Sequence, residues 1–327
     1  MDKQSKHGAW ITGVLLVFLV VALIIFTAVM WAYHWDFTKL STGKYETNTY
    51  EISEAFSSLS MKTDTADITF VLSDDGKCKV ECYEEEEEKA QHSVTVQEDK
   101  LVVKAINNKA WYDYIGIHIG TPKITVYLPK AEYTALSINE DTGDIKLPKD
   151  FKFTSVDIAL STGAVDLSAS VLEVMQVKTS TGNICVENTS AGALDLSAST
   201  GRITVSNVTC IGDVKLEIST GKTNLTDLTC KNLISDGDTG DLFLKNVIAT
   251  ENFSIERSTG DVKFESSDAA EIDVETDTGD VTGSLLTDKV FITETDTGKI
   301  EVPKTVTGGK CEISTDTGDI KITILHP

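Results

Sequence analysis

The chain is poor in positive charge: 29 Lys and Arg stand against 51 Asp and Glu in 327 residues, a net charge of −22. So acidic a chain repels phosphate backbones, which excludes nucleic acid as a partner and argues against direct docking on anionic lipid. It suits a solvated surface domain, with cations or cationic peptides as conceivable partners. Histidine is scarce, at five residues, and the six cysteines show no zinc-site spacing. The Gly-Gly-x-Gly-x-Asp pattern of calcium-binding nonapeptide coils is absent. Gly221-Lys-Thr ends like a phosphate loop, but Leu216 stands where that loop needs Gly and a strand follows it. No catalytic motif stands out, so the expected role is not enzymatic and no cofactor is called for.

What the chain has in abundance is one dipeptide. Gly143, Gly163, Gly182, Gly201, Gly221, Gly240, Gly260, Gly279, Gly298 and Gly318 each follow a Thr, at steps of 19 or 20 residues. A fixed period of that length marks a solenoid in which each repeat is one coil. Numbered from the Gly, positions −7, −5, +2 and +4 are mainly apolar, as in Val156, Ile158, Val165 and Leu167. Period-two alternation on both sides gives strand, turn, strand in every coil. The turn falls at Ser/Asp-Thr-Gly-X, where the Ser or Asp is expected to accept a backbone hydrogen bond and the Gly to supply a positive φ. Successive coils should pair as parallel strands about 4.8 Å apart, giving a stack on the order of 40 Å long. The threonines are expected to form a ladder beside it.

Before the repeats, Trp10 to Ala32 contains no charged residue. Its 23 residues reach about 34 Å as a helix, enough for a hydrocarbon core of roughly 30 Å. The run is too long for a cleaved signal peptide and ends in Met-Trp-Ala-Tyr-His-Trp, so an uncleaved anchor is expected. Lys3 and Lys6 precede it and Asp36 follows, which places the N-terminus in the cytoplasm. The expected organisation is therefore a cytoplasmic tail over 1–9, a transmembrane anchor over 10–35, an irregular β region over 36–135 capping the stack, and a ten-coil solenoid over 136–327. Residues 1–35 carry Lys3 and Lys6 against Asp2, so the exterior part carries −23. The chain ends in Leu325-His-Pro without a sortase-type tail, which leaves attachment to the N-terminal span.

In the 36–135 region, Asp64-Thr-Ala-Asp-Ile reads as a degenerate coil turn with Ala66 in the Gly place. The carboxylate run Glu84 to Glu88 reads as a solvated hairpin loop, and Trp111, Tyr112 and Tyr114 as cap packing. Cys210 and Cys230 both stand nine residues after a Gly in consecutive coils, a spacing that permits a disulfide in an oxidising exterior. Cys311 falls on an inward column and reads as a reduced core residue. Cys78 and Cys82 share a face of one strand but lie too far apart to bond with each other. Asn188, Asn207, Asn224 and Asn252 sit in glycosylation sequons of the kind Thr- and Ser-rich repeats generate by chance.

The segment Ile124-Thr-Val-Tyr-Leu-Pro-Lys, then Leu136-Ser-Ile, with the serial motifs Asp141-Thr-Gly-Asp-Ile, Ser258-Thr-Gly-Asp-Val and Asp316-Thr-Gly-Asp-Ile, resembles the bacterial putative-adhesin family of membrane-anchored β-solenoids, catalogued as a domain of unknown function. The likeness covers about residues 45–325. It implies an all-β, surface-located parallel solenoid without catalytic residues, acting in adhesion, envelope scaffolding or sensing through a partner membrane protein. Two alternatives follow from the acidic turns. Asp238, Asp241, Asp277, Asp280, Asp316 and Asp319 project from one edge, where paired carboxylates serve polysaccharide-active β-helix enzymes. Asp277, Asp280, Asp296, Asp316 and Asp319 are weak calcium candidates, since carboxylates stacked at coil spacing repel and a cation relieves this.

Overall fold

The structure, a computed structural model, describes residues 3–32, 34–35, 45–86, 90–107 and 121–325. Among the described residues one helix, α1, runs Lys3–Ala32, and the remaining regular elements are β-strands. Its described side chains begin at Leu16, and Leu19, Ile24 and Trp31 among them are exposed. Among the described residues, no helix is long and apolar enough to cross a membrane. The expected span therefore rests on the sequence alone.

The β part is a parallel solenoid. Thr142, Thr162, Thr181, Thr200, Thr220, Thr239, Thr259 and Thr278 face one another coil after coil. Their hydroxyls form no ladder bonds among the described residues; the stack is held instead by backbone bonds such as Gly182 N–H to Thr200 O at 2.9 Å. The corner glycines have φ between +131° and +159° wherever φ is positive. Space is as restrictive as φ. A Cβ on Gly201 would lie 1.8 Å from the carbonyl oxygen of Gly182 in the coil below, so backbone packs directly on backbone at this corner.

The four expected inward columns are buried, and three more join them. Position −3 is inward, as in Leu160, Ala198 and Ile218, and so are +7 (Val208, Leu228, Val247) and +9 (Cys210, Cys230, Ala249). The switch from even to odd positions has a cause. Asn188, Asn207, Asp227, Asn246 and Ser266, each six residues after a Gly, have φ between +51° and +54°. One left-handed residue turns the chain and exchanges inside for outside, and Asn and Asp adopt that conformation most cheaply. These corners also stack: Asn207 Nδ2 donates to Asn188 Oδ1 and Asn246 Nδ2 to Asp227 Oδ1, both at 2.9 Å.

At the N-terminal end the strands are β1 (Tyr45–Ile52), β2 (Ser58–Thr65), β3 (Asp67–Leu72), β4 (Cys78–Glu85), β5 (Ala90–Gln97), β6 (Lys100–Asn107), β7 (Lys123–Leu128) and β8 (Glu132–Thr142). β2 and β3 form a coil around Ala66, with Thr65 opposite Thr142 and Ala66 N–H bonded to Thr142 O. Below this coil the parallel rule lapses: β5 runs antiparallel to β6, and β4 antiparallel to both β7 and β1.

The C-terminal end departs from the expected order. The coil of Gly279 does not pair with that of Gly298. Its strand Glu271–Thr278 pairs with Gly309–Thr317, which in turn pairs with Lys289–Thr297. On the other side Val281–Leu285 pairs with Ile320–Ile324, which pairs with Ile300–Glu301. The chain thus skips a level, builds the outermost coil, and returns to insert its last coil beneath. Burial explains the choice. The inserted coil brings Cys311, Ile313, Ile320 and Ile322, all at most 2% exposed, whereas the outer coil has Thr293 at −5 and leaves its +2 residue, Ile300, at 42%.

Candidate functional site

The acidic edge was the sequence's leading candidate, and its geometry assigns most of it to the backbone. Where Asp follows the Gly it accepts an N–H from the neighbouring coil: Asp241 Oδ1 from Asp261 N, Asp261 Oδ1 from Asp280 N, Asp280 Oδ1 from Asp319 N and Asp319 Oδ1 from Lys299 N, at 2.8–3.3 Å. Asn183 does the same for Arg202 N. The Ser or Asp two residues before the Gly, Asp238, Asp277, Asp296 and Asp316 among them, is exposed and makes no such bond. The expected turn-opening bond is therefore replaced by a coil-to-coil bond three residues later, where an acceptor is needed because a stacked N–H faces outward at the corner. The C-terminal crossover also reorders the calcium candidates, so that Asp316 lies between Asp277 and Asp296. Among the described residues no group of three or more His, Cys, Asp or Glu side chains is placed to hold a metal ion.

The cysteines are free thiols. Cys210 and Cys230 occupy one buried column in adjacent coils, but Cys210 Sγ points at the carbonyls of Gly192 and Asp213 at 3.5 and 3.6 Å, which satisfies it without a disulfide. Cys311 is fully buried, and burial pushes its thiol up to about 12. Cys78 and Cys82 are likewise buried.

The carboxylate run is only partly solvated. Glu84 is 1% exposed: it bonds His92 Nδ1 at 2.7 Å and accepts His92 N–H and Asn48 Nδ2 at 2.8 Å. Burial pushes its pKa up, but these donors together outweigh burial and hold it below 4.5. Glu85 is also buried, whereas Glu86 is exposed. The correction has a simple origin, since a charge run says nothing about which members a strand turns inward. Trp111, Tyr112 and Tyr114 lie outside the described residues.

Two further buried ionisable side chains were not visible in the sequence. Glu140, at −3 of the first Thr-Gly coil, bonds Thr63 and accepts Ala66 N–H at 2.8 Å; burial raises its pKa to about 8. Arg257, at −3 of the Gly260 coil, is 1% exposed and donates to Ser235 Oγ at 2.7 Å. Gly237 makes room for it, since a Cβ there would lie 1.9 Å from Arg257 Nη1. Their signal was a polar residue at −3, a position that becomes inward once the strand alternation is carried one step nearer the Gly.

Among the described residues, one partly apolar groove of about 370 Å³ is floored by Tyr133, Phe153, Val171 and Ala191 and lined also by the exposed Leu172 and Ile211. Leu172 is 72% and Ile211 79% exposed, and Val174 beside them 44%. Single exposed apolar residues are ordinary, whereas Leu172 and Ile211 gather at one cleft.

A family profile described as Toastrack DUF4097 matches residues 56–221 and again 211–326. No curated protein matches the chain. Among solved structures, a putative lipid binding protein from Parabacteroides distasonis shares 15% identity at a TM-score of 0.50, covering 74% of this chain and 98% of its own. A putative adhesin from Bacteroides fragilis shares 16% at 0.43, covering 86% and 97%. Another putative adhesin, from Parabacteroides distasonis, shares 14% at 0.44, covering 75% and 98%.

Proposed function

From the premise that this chain belongs to the Toastrack DUF4097 family, we propose that it is a non-enzymatic surface solenoid that binds a partner through the groove between Leu172 and Ile211. The observation that carries this reading is the groove itself: an exposed apolar cluster on a stack whose net charge keeps other surfaces solvated. An uncharged run from Trp10 to Ala32 supports anchorage of the stack to a membrane through residues 10–35, with the solenoid outside the cell. The exposed apolar side chains of α1 support the same arrangement, because in water they would lack any cover. The edge carboxylates speak against glycan chemistry, being bonded to backbone or spread singly along an open edge.

The test is crosslinking of the full chain on intact cells, wild type beside a Leu172→Asp, Ile211→Asp double variant. A species captured by the wild type and lost in the variant supports the groove. Equal capture by both, with equal surface amounts, removes it. Recovery of wall glycan or a host protein favours adhesion, and recovery of a sensor kinase or transporter favours sensing. Resistance of the chain to alkaline extraction from membranes checks the anchor separately.

A further inference from the structure

Where the chain skips a level, it buries a lysine against an aspartate. Lys289 is 2% and Asp268 7% exposed, with Nζ 2.6 Å from Oδ1. Asp268 Oδ1 also accepts the N–H of Ala269 at 2.8 Å, while Oδ2 is buried without any partner. Asp288, next to Lys289, has a buried Oδ1 that is equally unpartnered. The three side chains line one cleft of about 760 Å³ together with Thr307, Gly308 and Gly309. The position in the stack is particular. The backbone of Lys289 pairs with Gly309 of the inserted coil, and Gly309 sits so close to Ala270 that a Cβ would lie 1.8 Å from its carbonyl oxygen. The lysine therefore reaches across a level that has no side chain at that point and meets an aspartate of the coil beyond.

A buried ion pair with an orphaned carboxylate oxygen is a costly resting arrangement, because the desolvated charge is incompletely compensated. Two reacting groups held in contact also have most of the entropy of their encounter removed beforehand. We propose that Lys289 and Asp268 condense into an intramolecular isopeptide bond. The ammonium passes one proton to Asp268 Oδ2, and the free amine attacks Asp268 Cγ, forming the Nζ–Cγ bond. The Asp288 carboxylate takes a proton from the attacking nitrogen and returns it to the departing oxygen. Oδ2 leaves as water, and Oδ1 remains as the amide carbonyl, still bonded by Ala269 N–H. One water is released, nothing is oxidised or reduced, and two buried charges and one orphaned oxygen disappear. The product clasps the inserted coil between the body of the stack and the outer coil.

Intact mass of the purified full-length chain is the direct test. The expected mass is one water below that of the sequence. Trypsin cuts after Lys263, Lys289 and Lys299 in an unlinked chain; a linked Lys289 resists, so residues 264–299 are recovered as one looped peptide. Cleavage after Glu271 and Glu275 then opens the loop into two segments still joined through 268 and 289. Lys289→Arg retains a cation and Asp288→Asn retains the ion pair; both are expected at full mass with native circular dichroism. A wild-type chain of full mass that is cut normally after Lys289 overturns the proposal. So does a chain one water lighter that is still cut there, which reports a cyclised aspartate instead. Linkage at the wild-type level in Asp288→Asn overturns the proton-carrying role of Asp288.

Discussion

The two ends of the stack solve one problem by different means. Each has strand edges with unpaired N–H and C=O groups that invite association. At the N-terminal end, β1, β4 and β5 abandon the repeat, run antiparallel, and are tied by the buried Glu84–His92 contact. At the C-terminal end nothing abandons the repeat. Two coils with the same Asp-Thr-Gly corner exchange order, and the less apolar one becomes the lid. Closure therefore needs no dedicated cap sequence. It is enough that the coil with weaker inward residues lies outermost.

A change that ignores both ends should have the largest effect. Gly221→Ala sets a Cβ 1.6 Å from the Gly201 carbonyl oxygen at φ +143°, so the stack must open mid-body. The expected loss is about 4 kcal/mol or more in urea unfolding, and a loss below about 1 kcal/mol would remove the close-packed corner as the basis of the stack.

At the C-terminal end, Lys289→Met strands Asp268 in its buried place. The expected cost is about 3–5 kcal/mol, with faster hydrogen exchange confined to residues 271–324. Lys289→Met combined with Asp268→Leu should recover most of it, since a well-packed apolar pair leaves no stranded charge at that place.

The N-terminal end should be the pH-sensitive one. Glu140 has its pKa raised from 4.5 to about 8 by burial, so the folded state binds this proton more tightly than the unfolded chain does. Its contribution is fully present below 4.5 and is lost as pH rises towards about 8. Glu84, held below 4.5, behaves oppositely: its contribution is present above 4.5 and is lost in acid. Exchange in β2 and β8 should therefore quicken between pH 5 and 8, and Glu140→Gln should flatten that rise. An equal rise in residues 309–324 would abolish the distinction between the ends. The smallest effect is expected from calcium: with Asp280 and Asp319 already bonded to backbone N–H groups, millimolar calcium should leave the melting temperature where it is.

The coil was legible because period-two apolar alternation around a recurrent Thr-Gly needs only local order. The turn at Ala66 was legible for the same reason. The columns at +7 and +9 were hidden by a left-handed residue at +6, which reverses the parity that alternation relies on. Its signal was present in Asn188, Asn207, Asp227 and Asn246, each six residues after a Gly, two of which also read as glycosylation sequons. The exchange of the last coils was beyond reach, since Gly279 to Gly298 is 19 residues and Gly298 to Gly318 is 20, as everywhere else. Spacing fixes the size of a coil and carries no information about its level. The groove at Leu172 and Ile211 was similarly invisible, being an assembly of residues from five successive levels of the stack.

The inserted coil also imposes an order in time. A chain emerging N-terminus first can wind each coil on the last as far as Gly279, but the next level must stay empty while residues 289–301 pass outside it. Those residues gain their parallel partners, Gly309–Thr317 and Ile320–Ile324, only when the last segment arrives. A chain halted before residue 309 therefore keeps an open edge, whatever the quality of the coils beneath. Closure of that edge thus waits on the arrival of residues 309–324, and the order in which the coils can form differs from their order in the stack.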